Sequence, residues 1–258
     1  TWTVSSPTIL AVMDWTVPQP KDFATIMAVE PSPYGVAAHY EVEPWSDRHF
    51  ELMENTFRLL GEIGNDMVVV PVLLGTEFGN GDDSMIRWKK TGSGYSCDRS
   101  ILDRFLTVIK RHGHPLCISF VVCHSPQGDG PGKEHPQVLL ADGKPLDVPK
   151  PGSAAAVALW KPLAAGLKET LKKHGMAGSL HWGYLGDILN GPINDTIKMF
   201  GEIAPGVGWA RGAHGWGKEG GPFSFSTTVR MTGTPLDRAG HIRSYKGWQR
   251  KWRRLVFT

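Results

Sequence analysis

The chain has 258 residues, 41% hydrophobic and 21% charged, ordinary values for a globular domain and enough length for one barrel-sized unit of about 250 residues. Such a chain buries roughly three quarters of its unfolded surface and needs no disulfide or metal staple to fold. Its 28 basic and 25 acidic residues leave a net charge of +3, too balanced to point to nucleic acid, and no apolar run reaches the roughly 18 residues of a transmembrane helix.

In chain order, residues 1–20 read as a lead-in or the end of a preceding β module. It contains a short strand at Thr8–Trp15 and is closed by Pro18 and Pro20. From residue 21 to 258 strands and helices alternate. Phe23–Val29 is a candidate strand. Ser46 caps a helix whose apolar face is Phe50, Met53, Phe57, Leu60 and Ile63, with Gly61 and Gly64 at its end. Met67–Leu74 is a continuous apolar run, a strand covered on both faces. Pro71 inside it lacks a ladder donor and predicts a bulge or break. A helix over Asp98–His112, a strand over Leu116–Cys123, a helix over Ser153–His174 and a strand over Ser179–Leu185 follow. Then come a helix from Pro192 to Ile203, strands at Val207–Ala213 and Phe223–Val229, and the start of another at Leu255–Phe257.

This alternation implies a parallel sheet with helices outside. The expected fold class is α/β, a (β/α)8-type TIM barrel. With six or seven strands found and a chain that opens on Thr1, it is expected to lack its own start and either its last strand or one too short to recognise. A doubly wound open sheet is the alternative. No G-x-G-x-x-G follows the first strand, which lowers a dinucleotide reading. The basic run Arg250, Lys251, Arg253 and Arg254 reads as a solvated edge and not as a nucleic-acid patch.

In a parallel barrel the chemistry sits just after the strands. Glu77 and Asn80 follow the second strand, then Asp82, Asp83, Arg87 and Trp88, which read either as a loop ion pair or as substrate contacts. His124 ends the third strand and opens a long Pro- and Gly-rich loop, Ser125–Gly152, either a substrate cover or an insertion. Asp187, with Asn190 nearby, follows Gly186 at the end of the fourth strand. His214 and Trp216 follow the fifth, among small residues. Two carboxylates on different strand ends match glycosidic bond cleavage. Asp187 would stabilise or orient, and Glu77 would donate the proton. The substrate-binding candidates are His124, His214, Trp182, Trp216, Arg87, Trp88, Asn80 and Asn190. The ten Trp residues are either core filler or flat platforms for sugar rings.

Three cysteines, Cys97, Cys117 and Cys123, make no disulfide framework. Cys117 and Cys123 share one strand about 20 Å long and cannot bridge each other there. No metal-ligand spacing or cofactor motif stands out, so neither metal nor cofactor is expected. The expected partner is a glycan or polysaccharide, with no nucleic acid and no membrane. Oligomeric state stays open.

Gly35–Met53, Gly64-Asn65, Phe78-Gly79-Asn80, Ser84–Trp88, Glu202–Gly206 and Lys246–Arg250 together resemble the catalytic domain of glycoside hydrolase family 123, over most of residues 12–258. The resemblance implies a barrel preceded by a β-sandwich, a periplasmic or secreted location, and removal of N-acetylgalactosamine from glycans. It also implies substrate assistance: the acetamido oxygen is the nucleophile, an Asp orients it, and the adjacent Glu is the acid/base. Asp187 matches that Asp, but Ile188 stands in place of the Glu, and no Asp-Glu dipeptide occurs in the chain. Three outcomes stay open: Glu77 or another acid has taken over protonation, the chemistry addresses a different sugar or linkage, or the domain is a non-catalytic carbohydrate-binding barrel.

Overall fold

The structure is a computed structural model, and it describes residues 16, 18–22, 27–92, 94–124, 135–186, 189, 191–213, 223–228 and 253–256. The first described segment carries a 3-10 turn at Pro20–Asp22. The lead-in strand expected at Thr8–Trp15 lies outside the described residues. Of the strand expected at Phe23–Val29, the described part forms a single parallel bridge, Met27 to Asn65.

Helix α1 (Pro33–His39) was not anticipated, although Ser32-Pro33 carries its start signal. The Ser32 hydroxyl accepts from the Gly35 amide, and Pro33 occupies the first turn, where a missing N–H costs nothing. Helix α2 (Asp47–Glu62) starts on Ser46 as expected, with the Ser46 hydroxyl accepting from the His49 amide. Strand β1 (Met67–Pro71) stops at the proline. Beyond it the Val72 and Leu73 amides both turn onto the Val121 carbonyl, 3.1 and 3.2 Å away. Pro71 therefore breaks the run that the apolar pattern extends to Leu74.

An unanticipated antiparallel hairpin follows, β2 (Arg87–Thr91) and β3 (Gly94–Asp98). It displaces the start of helix α3 to Ser100 (Ser100–His112), because Asp98 ends β3 and its carboxylate accepts from the Ser100 amide. Strand β4 (Cys117–His124) is next. The described part of the long loop after it is no structureless cover. It contains a second hairpin, β5 (Gln137–Leu139) and β6 (Pro145–Asp147), turning at Asp142-Gly143 with Gly143 at φ 83°. The Ala141 amide donates to the Trp88 carbonyl, and Leu74 to Gln137, so the hairpin is stitched to β2 and to the end of β1.

Helix α4 (Ala154–His174) is capped by Ser153 and closed by the left-handed Gly175. After a 3-10 turn at Ala177–Ser179 come β7 (Leu180–Leu185), α5 (Gly191–Ile203), β8 (Gly208–Ala213), β9 (Phe223–Thr228) and β10 (Arg253–Val256). Six strands form one parallel sheet in the order β1-β4-β7-β8-β9-β10. The order follows the chain without the reversal of a doubly wound sheet. The result is a mixed α/β fold around a parallel sheet.

Alternation along the strands separates two faces. Val68, Val70, Ile118, Phe120, Trp182, Tyr184 and Trp209 join the large core together with α2, α3, α4 and α5. Met67, Val69, Cys117, Val121, Leu185 and Ala210 form a second cluster that includes no residue of those helices. Among the described residues the helices thus cover one face only. The helix side is aromatic: Phe200 of α5 packs against Trp160, Trp182 and Trp209, with centroids 5.3, 4.6 and 5.9 Å away, and Trp160 meets Trp88 edge-on.

Helices α2 and α3 approach closely at Gly61. A Cβ there would fall 1.9 Å from the His112 carbonyl oxygen. Arg111 ion-pairs with Glu54 and the His112 ring contacts the same carboxylate across this contact, but at the surface such pairs contribute little. Gly61→Ala must push the helices apart. We expect it to lower unfolding stability by about 1–3 kcal/mol in chemical denaturation, and an unchanged midpoint would refute the contact.

Candidate active site

The C-terminal ends of β1, β4, β7 and β8 lie side by side. After β1 the chain makes a tight turn at residues 76–80 built on Asn80, which is 2% exposed. Its side-chain carbonyl accepts from the Thr76 amide (3.0 Å) and hydroxyl (2.5 Å), and its amide donates to the Leu73 and Asp83 carbonyls. With these four bonds Asn80 is committed to the loop and is not a free sugar ligand. The turn it holds presents Glu77 to solvent, and among the described residues no hydrogen bond or ion pair takes up the Glu77 carboxylate.

Arg87 pairs with Asp83 at 3.2 Å. Asp83 also accepts from the Ser84 amide and, at 2.5 Å, from the Trp45 indole. Trp45 holds a left-handed backbone (φ 65°) that a bulky residue adopts only under constraint. The constraint is visible: the Trp45 amide donates to His49 Nδ1, so Nε2 carries the proton and donates to the Pro33 carbonyl. Burial pushes the His49 pKa below the ordinary value, with the Pro33 carbonyl and Asp83 partly opposing.

Trp88 and Trp182 do not reach the sheet's edge. Both are fully buried on the helix side, Trp88 donating its indole N–H to the Leu159 carbonyl and Trp182 packed on Phe200. Neither offers a face to a sugar. They expose no flat surface, and the excess of Trp goes at least in part to core filling.

His124 is the last residue of β4 and pairs in register with Leu185. Partners in register share a face, so His124 stands on the side opposite the helices, and it is half-buried. At the end of β7, Gly186 adopts φ 148°, a conformation that side chains avoid. Its amide donates to the Gly212 carbonyl and its own carbonyl accepts from Arg211 Nε at 3.0 Å. Arg211 was not anticipated, although a lone cation inside an apolar strand is the signal of a buried, partnered group. Asp187, Ile188, Asn190, His214 and Trp216 lie outside the described residues. Among the described residues no group of three or more His, Cys, Asp or Glu is placed to hold a metal ion, and no helix is long and apolar enough to cross a membrane.

The sequence model described as glycoside hydrolase 123, catalytic domain, matches residues 31–184, more than half of the chain. The chain belongs to this family. The family 123 domain also resembles a solved structure, described as a family 123 glycoside hydrolase from Clostridium perfringens in a study of glycolipid glycan hydrolysis. The TM-score is 0.63 at 15% identity, over 84% of this chain and 40% of that one. At that identity the likeness shows a shared fold, and this chain spans less than half of that protein's length. No curated protein sequence matches the chain.

Two measurements check the loops of this family 123 domain. Asn80→Ala leaves buried partners unsatisfied, and we expect a loss of about 2 kcal/mol or more in denaturant unfolding. Burial holds the His49 pKa of the folded chain below the value of about 6.5 in the unfolded chain, so its contribution is present above about pH 6.5 and lost as the pH falls below it. Stability should fall between about pH 7.5 and 5.5, with a shallower fall in His49→Gln, measured as denaturation midpoints. An equally steep fall in that variant would assign the effect to other groups.

Proposed function

We propose that this domain is a glycoside hydrolase acting at the C-terminal edge of its parallel sheet, with the strands continuing toward a (β/α) barrel over residues 21–258. Family membership carries the activity class. The one-directional strand order and the restriction of helices to one face of the sheet support the barrel. The chain's β1 and β7 flank β4, so the segments carrying Glu77 and Asp187 leave strand ends about 10 Å apart, two strand spacings.

The substrate we infer is a glycan ending in an N-acetylhexosamine, as the family resemblance implies. Its acetamido oxygen attacks C1 while the bond from C1 to the leaving oxygen breaks. Glu77 gives that oxygen its proton, and Asp187 orients the acetamido group and balances the charge that develops on it. Water then attacks C1, giving a proton back to Glu77 and reopening the ring formed with the acetamido oxygen. Because the nucleophile must approach opposite the leaving group, the cleaved linkage is trans to the acetamido group. His124, His214, Trp216, Asn190 and Arg87 are the subsite candidates. Trp88, Trp182 and Asn80 are dropped for their places in the core and the loop.

A second reading has its own observation. Ile188 follows Asp187 where the family pair has Glu, and the family match ends at Tyr184, before this position. On that reading the domain binds glycans without cutting them.

The test is hydrolysis of 4-nitrophenyl N-acetyl-β-galactosaminide and of a natural glycan by wild type, Asp187→Asn and Glu77→Gln. We expect Asp187→Asn to lose about two to three orders of magnitude in kcat. Glu77→Gln should lose about 10²-fold or more on the natural glycan and less on the aryl glycoside, whose leaving group needs little protonation. Full activity of Asp187→Asn removes that residue from the mechanism. Glycan binding with no product from wild type would establish the binding reading instead.

A further inference from the structure

We infer that Ser32 is a positioning residue for Glu77, acting through the Phe78 carbonyl; this rests on the proton-donor role proposed for Glu77. A carboxyl group that hands over a proton needs a fixed place. Glu77 is exposed, and among the described residues no hydrogen bond or ion pair holds its carboxylate. Its place is therefore set by the backbone. Residues 76–79 form a β-turn, closed by the Gly79 amide donating to the Thr76 carbonyl at 3.2 Å, with Glu77 at the first corner. Gly79, at the last position of the turn, takes φ 73°.

Both neighbours of Glu77 are tied down where Glu77 is not. On one side Thr76 is buried, and its amide and hydroxyl both donate to Asn80 Oδ1. On the other, Phe78 is buried in the cluster with Ala28 and Val69, on the sheet face away from the helices. Its carbonyl accepts the hydroxyl proton of Ser32, 46 residues earlier in the chain, at 2.5 Å. The Ser32 oxygen also accepts from the Gly35 amide at 3.0 Å as the cap of α1. A hydroxyl has one proton to give, and Ser32 gives it to the turn. The Phe78 carbonyl and the Gly79 amide belong to one planar peptide unit. Ser32 holds one end of that plane, and the Thr76 carbonyl holds the other. Releasing the Ser32 end lets the plane rotate, which opens the turn and swings Glu77. A catalytic group displaced by about 1 Å costs about 10²-fold in rate, which sets the scale of the expected loss.

Two variants separate the tie from the helix cap. Ser32→Asp still caps α1 but, when ionised, has no proton to donate. Ser32→Ala loses both. Hydrolysis of methyl and of 4-nitrophenyl N-acetyl-β-galactosaminide is measured on the full chain, with and without Glu77→Gln. The methyl leaving group depends on a proton donor, and the nitrophenyl group needs little protonation. Both Ser32 variants should lower kcat on the methyl glycoside by about 10²-fold, with KM within about threefold, and lose much less on the aryl glycoside. In the Glu77→Gln background either change should cost almost nothing further, since residues acting as a unit are non-additive. Loss in Ser32→Ala alone would leave Ser32 as a helix cap and overturn the inference. Equal losses on both glycosides, or losses additive with that of Glu77→Gln, overturn it too. If Glu77→Gln loses rate and the Ser32 variants do not, the inference falls alone. If Glu77→Gln keeps the wild-type rate on the methyl glycoside, the proton-donor reading falls and takes the inference with it. A crystal structure of Ser32→Asp reads the point without turnover: a displaced turn at residues 76–79 supports the tie, and an unmoved turn overturns it.

Discussion

One side chain ties the layers together. Phe200 of α5 touches a tryptophan from α4, one from β7 and one from β8. Burying aromatics of this size contributes several kcal/mol each, so this stack sets how far the helices stand from the sheet. It also sets which way each strand faces. With Trp182 and Trp209 committed to the helix side, the next residue along each strand, Gly183 and Ala210, must face the other way.

That other side is built from small residues where β4 meets β7. A Cβ on Gly183 would fall 2.6 Å from the Ser119 hydroxyl and 2.9 Å from the Val121 Cα. The register shift between Val121 and Cys123 lies at the same level. This close approach aligns the ends of β4 and β7, and so places His124 level with Leu185, one residue before Gly186. The geometry of the strand ends is therefore inherited from packing lower in the sheet.

The sheet strands were legible because burial on both faces forces continuous apolar runs, as in Met67–Pro71 and Cys117–Cys123. Helices α2, α4 and α5 were legible from caps and period. The two hairpins were not, because β2 and β6 carry exposed Lys89, Lys90 and Lys144-flanked residues instead of an apolar signature. Turn chemistry at Asp142-Gly143, and the glycines Gly92 and Gly94 between β2 and β3, were the available clue. The site was legible as positions after strands, not as roles. Asn80 and Trp182 have the chemistry of sugar ligands, and only their hydrogen bonds and packing show that they serve the scaffold. Arg211 did carry a signal, a lone cation in an apolar strand, but the sequence does not show that its partner is the Gly186 carbonyl.

The cysteines lead to a different kind of consequence. Cys117 and Cys123 are buried on opposite faces of β4 and Cys97 is half-buried. Burial pushes the thiols of Cys97 and Cys123 up to about 12, and that of Cys117 upward as well. At neutral pH almost no thiolate is present to react. Burial therefore slows alkylation of Cys117 and Cys123 in the folded domain, and the rate at which these two thiols are modified becomes a clock for the opening of the sheet. A single cysteine placed on an exposed loop would be the preferred point of attachment for a fluorophore or surface tether, with the native three left in place.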